Sequence, residues 1–383
     1  MNIAVDIRCL TDRRLTGIGW YTYHLVNAMA AEAPFDRFTL FASGTNETLD
    51  RRPRISAANI RVIEQPIPNK LLTLAMKVPR GLTLERLLPE QPDIWLFPHP
   101  HIMRTNVPYV VTVHDLTLDL LPDFFTFADH LRERFVQSRD MVHRAKRVLA
   151  VSHNTANDLA SEWNVPRERI TVTHLGVDPQ SLGAREQSSD RSFRAAYDLN
   201  RPYILALATI EPRKNFESIV EAYDTFRTQG GAALPLVLVG GQGWKSRRFN
   251  DIIAGTVFRH DIRILGYVPE KHKPALYRGA TAFLFPSFYE GFGLPVAEAL
   301  SCGAPVITSF AGSLPEIAGN AALYVDPFNV TDLTQALHHL FDPATGTALR
   351  KNLRERGIEQ AKTFSWAETA RQTLATLRSA VTR

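Results

Sequence analysis

The 383-residue chain is predicted to be an α/β protein of two domains, each a strand–helix alternation. Three observations predict it. Short apolar runs such as 109–113 (YVVTV), 203–208 (YILALA) and 281–285 (TAFLF) have the length and composition of buried strands. Segments of helical composition follow most of them, the pattern of a sheet built by crossover connections. The rhythm breaks once, over the polar, Gly- and Ser-containing stretch 179–200, and then restarts. This places domains at 1–180 and 201–365, with the tail following.

In order, 3–7 reads as the first strand. Thr16–Trp20 (TGIGW) leads into a helix over 21–30, and Gly17 and Gly19 would permit close approach of a phosphate or sugar. Strands follow at 37–41, 60–63 and 94–97, the last ending in Pro98, His99, Pro100 and His101. The strand 109–113 stops at His114 and Asp115. A neutral His there can exchange a hydrogen bond with a substrate hydroxyl, while Asp115 also suits a helix start. A helix over 127–143, a strand over 148–151, a helix over 156–163 capped by Ser152–Thr155, and a strand over 170–173 complete the first half. Four histidines stand at strand ends (His99, His114, His153 and His174), but their spacing matches no zinc pattern. No metal is expected.

In the second half the strand 203–208 leads into Thr209–Phe216 (TIEPRKNF). Arg213 and Lys214, adjacent at a strand-to-helix turn, are suited to gripping a diphosphate. Strand 236–239 ends at Gly240, Gly241 and Gly243. Strand 262–265 ends at Gly266, Tyr267 and Val268, and a short helix covers 273–279. The strand 281–285 then opens the stretch PSFYEGFGLPVAEAL (286–300), with a helix expected over 292–300 and Pro295 tolerated in its first turn. Glu290 sits in the turn at the strand's end, and Glu298 projects from the helix about two turns on. Crevices at strand ends are where open α/β sheets bind ligands, and a helix N-terminus favours phosphate. Two carboxylates on either side of a phosphate site would hold hydroxyls, a sugar at one and a ribose at the other. Strands at 305–309 and 322–325 and helices at 331–341 and 348–361 follow, and a last helix begins near Trp366. No solenoid repeat is present.

The chain is 45% hydrophobic and 9% aromatic, enough for two cores. No stretch approaches a membrane span. The opening MNIAVDIRCL reads as a strand interrupted by Asp6 and Arg8 rather than a signal peptide, and Cys9 and Cys302 are too few for a disulfide framework. A reduced, cytoplasmic setting is expected. The net charge of +5 does not choose among anionic partners. Residues 51–80, however, carry Arg51, Arg52, Arg54, Arg61, Lys70, Lys77 and Arg80 against Glu64 alone. The LLTLAMKVP in their midst reads either as a surface facing anionic lipid or as a core helix with charged flanks.

The E-x7-E pair Glu290 and Glu298 in FPSFYEGFGLPVAEAL, the following Gly303–Ile307 (GAPVI), EPRKN at 211–215 and LGVD at 175–178 together resemble the retaining glycosyltransferases of family 4, which have the GT-B fold. The resemblance spans nearly the whole chain and is most specific in the second half. It implies two Rossmann-like α/β domains facing across a cleft, the first binding acceptor and the second a nucleotide-sugar donor, with the segment from about 366 to 383 packing back on the first. By resemblance Glu290 binds hydroxyls of the donor sugar and Glu298 the ribose. Arg213 and Lys214 neutralise the diphosphate, helped by backbone N–H groups at Gly293 and Leu294 beside Phe292. Tyr267 and Val268 lie along the base, Gly241 belongs to the same nucleotide side, Gly17 and Gly19 approach diphosphate or acceptor, and His114 touches the donor sugar. The cations take the place of a metal, so no cofactor is implied beyond the nucleotide sugar, and no nucleic acid. Many relatives carry Arg five positions before the Lys; here that position is Thr209, and Arg213 is the local substitute.

A dehydrogenase would need a G-x-G-x-x-G at the first strand–helix turn, and 16–21 supplies only G-x-G. TIEPRKN with the Gly-Gly-x-Gly-Trp strand end looks like bacterial mannosyltransferases that use GDP-mannose in O-antigen or exopolysaccharide assembly. UDP-glucose, UDP-N-acetylglucosamine and dTDP-rhamnose users share the framework, as do enzymes with soluble acceptors. The expected acceptor is a glycan or a polyprenyl-diphosphate-linked oligosaccharide at the inner face of the membrane.

Overall fold

The computed structural model of the chain describes residues 1–12, 15–78, 80–178, 182–184, 187–244 and 247–381. It divides into two units, Met1–Gly176 with Ser365–Arg383, and Val177–Phe364. The boundary expected at residue 180 lies outside the described residues.

The first unit contains a seven-stranded parallel sheet in the order β3-β2-β1-β4-β5-β6-β7. Its strands are β1 (Asn2–Asp6), β2 (Arg37–Ser43), β3 (Ile60–Gln65), β4 (Ile94–Phe97), β5 (Tyr109–Val113), β6 (Arg147–Ala150) and β7 (Ile170–Val172). Strands β1, β4 and β5 are buried along their whole length, which is why β4 and β5 read as short, mostly apolar runs. The strand order reverses between β1 and β4, the kind of point at whose carboxyl side open α/β sheets bind ligands. The last helix, Trp366–Val381, packs on this unit. Thr369 Oγ1 donates to the His174 carbonyl at 2.6 Å, Trp366 stacks on His24 at 5.1 Å between ring centroids, and Arg378 pairs with Asp36 at 2.9 Å.

The second unit contains a six-stranded parallel sheet, β10-β9-β8-β11-β12-β13. Its strands are β8 (Tyr203–Leu207), β9 (Leu236–Val239), β10 (Ile262–Gly266), β11 (Ala280–Phe285), β12 (Val306–Ser309) and β13 (Ala322–Val325). Its core joins Ile204, Leu236, Leu238 and Leu284 from the sheet to Ile219, Tyr223 and Leu337 from covering helices. A buried two-point ion pair, Arg278 with Asp190 at 2.6 and 2.9 Å, ties helix Ser188–Ala196 to helix Lys273–Gly279. Here the order reverses between β8 and β11, whose ends carry EPRK and Glu290.

Three elements depart from expectation. The first helix runs Gly17–Glu32, so Gly17 and Gly19 belong to its first turn rather than to a preceding loop. The first N–H groups of that turn have no acceptor within the helix. The helix expected over 127–143 is two, Phe127–Val136 and Ser138–Arg144, broken at Gln137, whose φ is 57°. Glu133 fixes the break by accepting from the Ser138 N–H and hydroxyl, each at 2.9 Å. The helix after Glu290 starts at Leu294, not 292, with left-handed Gly293 as its N-cap.

Candidate active site

Strand β8 ends in a turn, Pro212–Lys214, closed by Asn215 in the left-handed region. Asn215 donates to the carbonyls of Pro286 (3.1 Å) and Pro327 (2.7 Å), and the Phe288 N–H donates to the Arg213 carbonyl at 2.9 Å. The two strand-end loops are thus stitched together, and their charged side chains converge. Arg213 Nη1 lies 2.9 Å from Glu290 Oε2, and Lys214 Nζ lies 2.6 Å from Glu290 Oε1. Arg213 also reaches Glu211 at 3.0 Å and the Tyr289 carbonyl at 2.8 Å, and Ser287 donates to Glu290 Oε1 at 2.6 Å. Two acids and two bases balance formally, and Glu290 is 6% exposed.

Burial by itself raises the Glu290 carboxyl, but Arg213 and Lys214 overcome it and bring the pKa down to about 2. Lys214 is lowered by its burial and by the like charge of Arg213, with Glu290 holding it up. Burial raises Glu211. The sign for stability follows. Glu290, depressed from 4.5 to about 2, contributes about 3 kcal/mol above the ordinary glutamate value. That contribution is lost progressively as pH falls from 4.5 towards about 2. Glu211, being raised, works in the opposite sense. Urea unfolding of the wild type and of Glu290→Gln across this range is expected to show the stability gap closing on acidification.

Glycine is required beside Glu290. Gly312 has φ 59°, and a Cβ there would stand 2.6 Å from the Glu290 carbonyl oxygen. The Ser313 N–H and hydroxyl both donate to that oxygen, at 3.1 and 3.0 Å. Gly293 turns the chain with φ 89° into helix Leu294–Ser301. The Gly293 and Leu294 N–H groups open this helix and have no intrahelical acceptor.

Glu298 is also buried but belongs to a different set. Tyr277 donates to its Oε2 at 2.9 Å, and Lys273, paired with Glu270 at 2.6 Å, lies in its field. Burial raises Glu298, partly offset by Lys273. Burial and the Glu298 charge push the Tyr277 hydroxyl well up. Gly241 lies past the end of β9 and accepts from the Ile210 N–H at 2.9 Å. Val268 is buried and Tyr267 exposed just beyond β10. Phe292 packs edge-on against Phe364 at 5.5 Å.

In the first unit, His114 follows β5. Its Nε2 lies 2.9 Å from the Pro98 carbonyl, an acceptor only, so Nε2 carries the proton and Nδ1 keeps the lone pair. Burial lowers its pKa. Tyr21, on the helix that holds Gly17 and Gly19, meets the ring edge-on at 4.8 Å. Asp115 caps a turn by accepting from the Thr117 N–H at 3.0 Å.

Sequence reasoning did not single out Glu211, Ser287, Tyr277 or Lys273, nor a buried cluster beyond β1 and β4. There Arg8 grips Asp6 at 2.7 Å, and His101 reaches the same carboxylate at 3.0 Å. The signal was present in the interruption of an apolar strand by Asp6 and Arg8. Burial would raise Asp6, but Arg8 and His101 hold it far below the usual range.

Two doubly wound parallel sheets, each with a buried cation–carboxylate cluster beyond its reversal point, have the architecture of the GT-B glycosyltransferases. The family described as "Glycosyl transferases group 1" matches residues 189–362, and "Glycosyltransferase Family 4" matches 15–181. The O-antigen chain mannosyltransferase B of Escherichia coli is 30% identical over 371 residues, covering 94% of this chain and 95% of that protein. The serotype-specific mannosyltransferase WbdA of Escherichia coli is 26% identical over 398 residues, covering 97% of this chain and 47% of that longer protein. The solved sucrose-phosphate synthase of Thermosynechococcus elongatus shares the fold with a TM-score of 0.78 at 20% identity, over 99% of this chain and 98% of that one. The chain belongs to glycosyltransferase family 4 and is a hexosyltransferase.

Proposed function

We propose that the protein transfers mannose from GDP-mannose, with retention at the anomeric carbon, to a glycan or polyprenyl-diphosphate-linked oligosaccharide in cell-surface polysaccharide synthesis. The observation that carries the proposal is the buried cluster of Glu290, Arg213 and Lys214 at the reversal point of the second sheet. The relatives named as mannosyltransferases support mannose. The second unit is the donor unit in this reading and the first the acceptor unit, both working in the cytoplasm.

The C1–O bond to the β-phosphate breaks, and the acceptor oxygen bonds to C1 on the same face. The acceptor's proton passes to the departing phosphate oxygen, so no metal or enzyme-bound intermediate is required. Arg213, Lys214 and the Gly293 and Leu294 N–H groups stabilise the charge that develops on the diphosphate. Glu290 accepts hydrogen bonds from the sugar hydroxyls. His114 offers Nδ1 as a further acceptor to the sugar, and Gly17 and Gly19 leave room at the opening of their helix. Glu298 accepts from the ribose hydroxyls, with the base along Tyr267 and Val268 and with Gly241 and Phe292 on the nucleotide side.

If Tyr277 orients Glu298, Tyr277→Phe is expected to raise the donor KM about tenfold with kcat nearly unchanged, because a buried carboxylate loses a donor. Steady-state kinetics at saturating acceptor read this directly. The proposal as a whole is tested by a donor screen with the full chain. Turnover with GDP-mannose above UDP-glucose, UDP-N-acetylglucosamine and dTDP-rhamnose supports it. Preference for any of the others overturns the donor.

The proposal extends to an anionic membrane surface lying against residues 51–80. Within that stretch Arg51 pairs with Glu47, and Arg52 with Glu64 at 2.7 Å. Arg54, Arg61, Lys70, Lys77 and Arg80 enter no ion pair among the described residues, so the unbalanced charge runs from 54 to 80.

A further inference from the structure

Strand β4 stops at Phe97, where the sequence turns to Pro98-His99-Pro100-His101. Proline has no N–H to give a ladder, and among the described residues 98–103 make no backbone-to-backbone hydrogen bond. Their carbonyls still need donors, and side chains supply them. His99 Nδ1 lies 3.0 Å from the Pro100 carbonyl, and His101 Nδ1 lies 2.8 Å from the His99 carbonyl. Arg8 Nη2 donates to the Ile102 carbonyl at 3.2 Å. The Pro98 carbonyl takes the His114 Nε2 proton at 2.9 Å. The segment that fixes the His114 tautomer is therefore itself shaped from outside by Arg8.

Arg8 and His101 converge on Asp6, which is 2% exposed. Its carboxylate accepts from the Arg8 N–H at 3.0 Å, from Arg8 Nε and Nη2 at 2.9 and 2.7 Å, and from His101 Nε2 at 3.0 Å. An Asp6 carboxylate gripped by Arg8 stays ionised and cannot donate, and nor can a carbonyl. His101 has one of these at each ring nitrogen, so it carries both protons. Asp6 thus stands at the end of β1 between two cations, and each cation also holds a carbonyl of the 98–102 segment. Apolar side chains commonly pack a buried site as well as an ion cluster does, so stability alone does not call for this one.

We propose that Asp6, Arg8 and His101 are positioning residues for the transfer: they hold the 98–102 segment so that the Pro98 carbonyl fixes His114 with its Nδ1 lone pair in one direction. The inference rests on the proposed contact of His114 with the donor sugar and adds the groups that act through it. None of the three needs to touch substrate. An acceptor aimed before the sugar arrives has no orientation left to find, and misplacing such a group by about 1 Å can cost on the order of a hundredfold in rate.

The test compares His101→Leu with the wild type in the full chain. The change removes both imidazole donors and keeps the Arg8–Asp6 pair, so the fold should hold. Asp6→Asn is the poorer probe, since it leaves Arg8 and His101 buried without a counter-charge. Donor kcat/KM should fall on the order of tenfold to a hundredfold. Affinity for the nucleoside diphosphate, which has no sugar to meet His114, should not change. In a His114→Ala background the same exchange should cost less than about twofold, because the two act as one unit. His101→Gln, which keeps a donor for Asp6, should recover part of the loss. Independently of turnover, NMR of protein labelled at the histidine ring nitrogens should show His101 protonated at both and His114 at Nε2 alone. In His101→Leu the His114 signal should pass to a mixture of tautomers. A full loss in the His114→Ala background, or a His114 signal indifferent to His101→Leu, overturns the inference. Undiminished turnover in His114→Ala alone, with the His114 signal still answering to His101→Leu, would instead remove the sugar contact from the proposed function and confirm that the cluster sets the ring.

Discussion

Exchange of Glu290 for glutamine is expected to lower transfer on the order of a thousandfold, the scale of losing a preorganised charged partner in a water-poor site, while the nucleoside diphosphate binds at least as tightly as before. The two halves of this result have one cause. Glutamine fills the same space but cannot accept from sugar hydroxyls with the strength of a carboxylate. It also ceases to hold Arg213 and Lys214, which now stand 2.9 and 2.6 Å from the carboxylate oxygens. Those cations are then freer to meet phosphate. Single-turnover kinetics and calorimetric titration of the diphosphate separate the two effects. Near-normal transfer would remove Glu290 from the reaction. Weakened diphosphate binding would mean that it serves chiefly to hold the cations in position.

Replacing Lys214 with methionine is expected to reduce kcat/KM for the donor by a factor on the order of a hundred to a thousand. The stem is preserved, so packing against the Phe285 ring, 5.2 Å from the ammonium, is largely kept. The charge that meets the departing phosphate is lost. A second readout distinguishes this from simple structural damage. Lys214 is one of the two cations that depress Glu290, so its removal should raise the Glu290 pKa and shift the acid limb of the pH–rate profile upward. Stability should fall by about 3 kcal/mol, because a buried pair has lost one partner. A variant with wild-type kcat/KM, or one that loses stability with no movement of the acid limb, would contradict the assigned role.

The residues that stand at strand ends were legible because a buried strand excludes charge, and the first charged group after it marks the sheet's edge. TAFLF followed by a Gly-flanked Glu290, and YILALA followed by EPRK, are of this kind. Their convergence depends on strand order, since β8 and β11 become neighbours only when β9 and β10 are wound to the other side. Tyr277 illustrates the limit: within LYRG nothing separates a tyrosine that fills the core from one that donates to a carboxylate 21 positions on. The break at Gln137 was hidden for a similar reason. No glycine or proline marks it, and a glutamate side chain stabilises the left-handed residue. Asp6 and Arg8 were visible as interruptions of a strand, but their partner His101 comes from the end of β4, 95 residues later.

The tight embrace of Glu290 with its two cations bears on turnover. A lone phosphate can satisfy Arg213 and Lys214 only by displacing the carboxylate, and it leaves that carboxylate buried with nothing to neutralise it. In the roles proposed for these residues, an intact nucleotide sugar would satisfy both sides at once, phosphate oxygens replacing Glu290 on the cations and sugar hydroxyls replacing the cations on Glu290. Once the sugar had moved to the acceptor, half of that exchange would be gone, and the carboxylate would compete again for Arg213 and Lys214. The same three side chains would thus favour entry of the loaded donor and hasten expulsion of the spent nucleotide, making product inhibition weaker in the wild type than in Glu290→Gln.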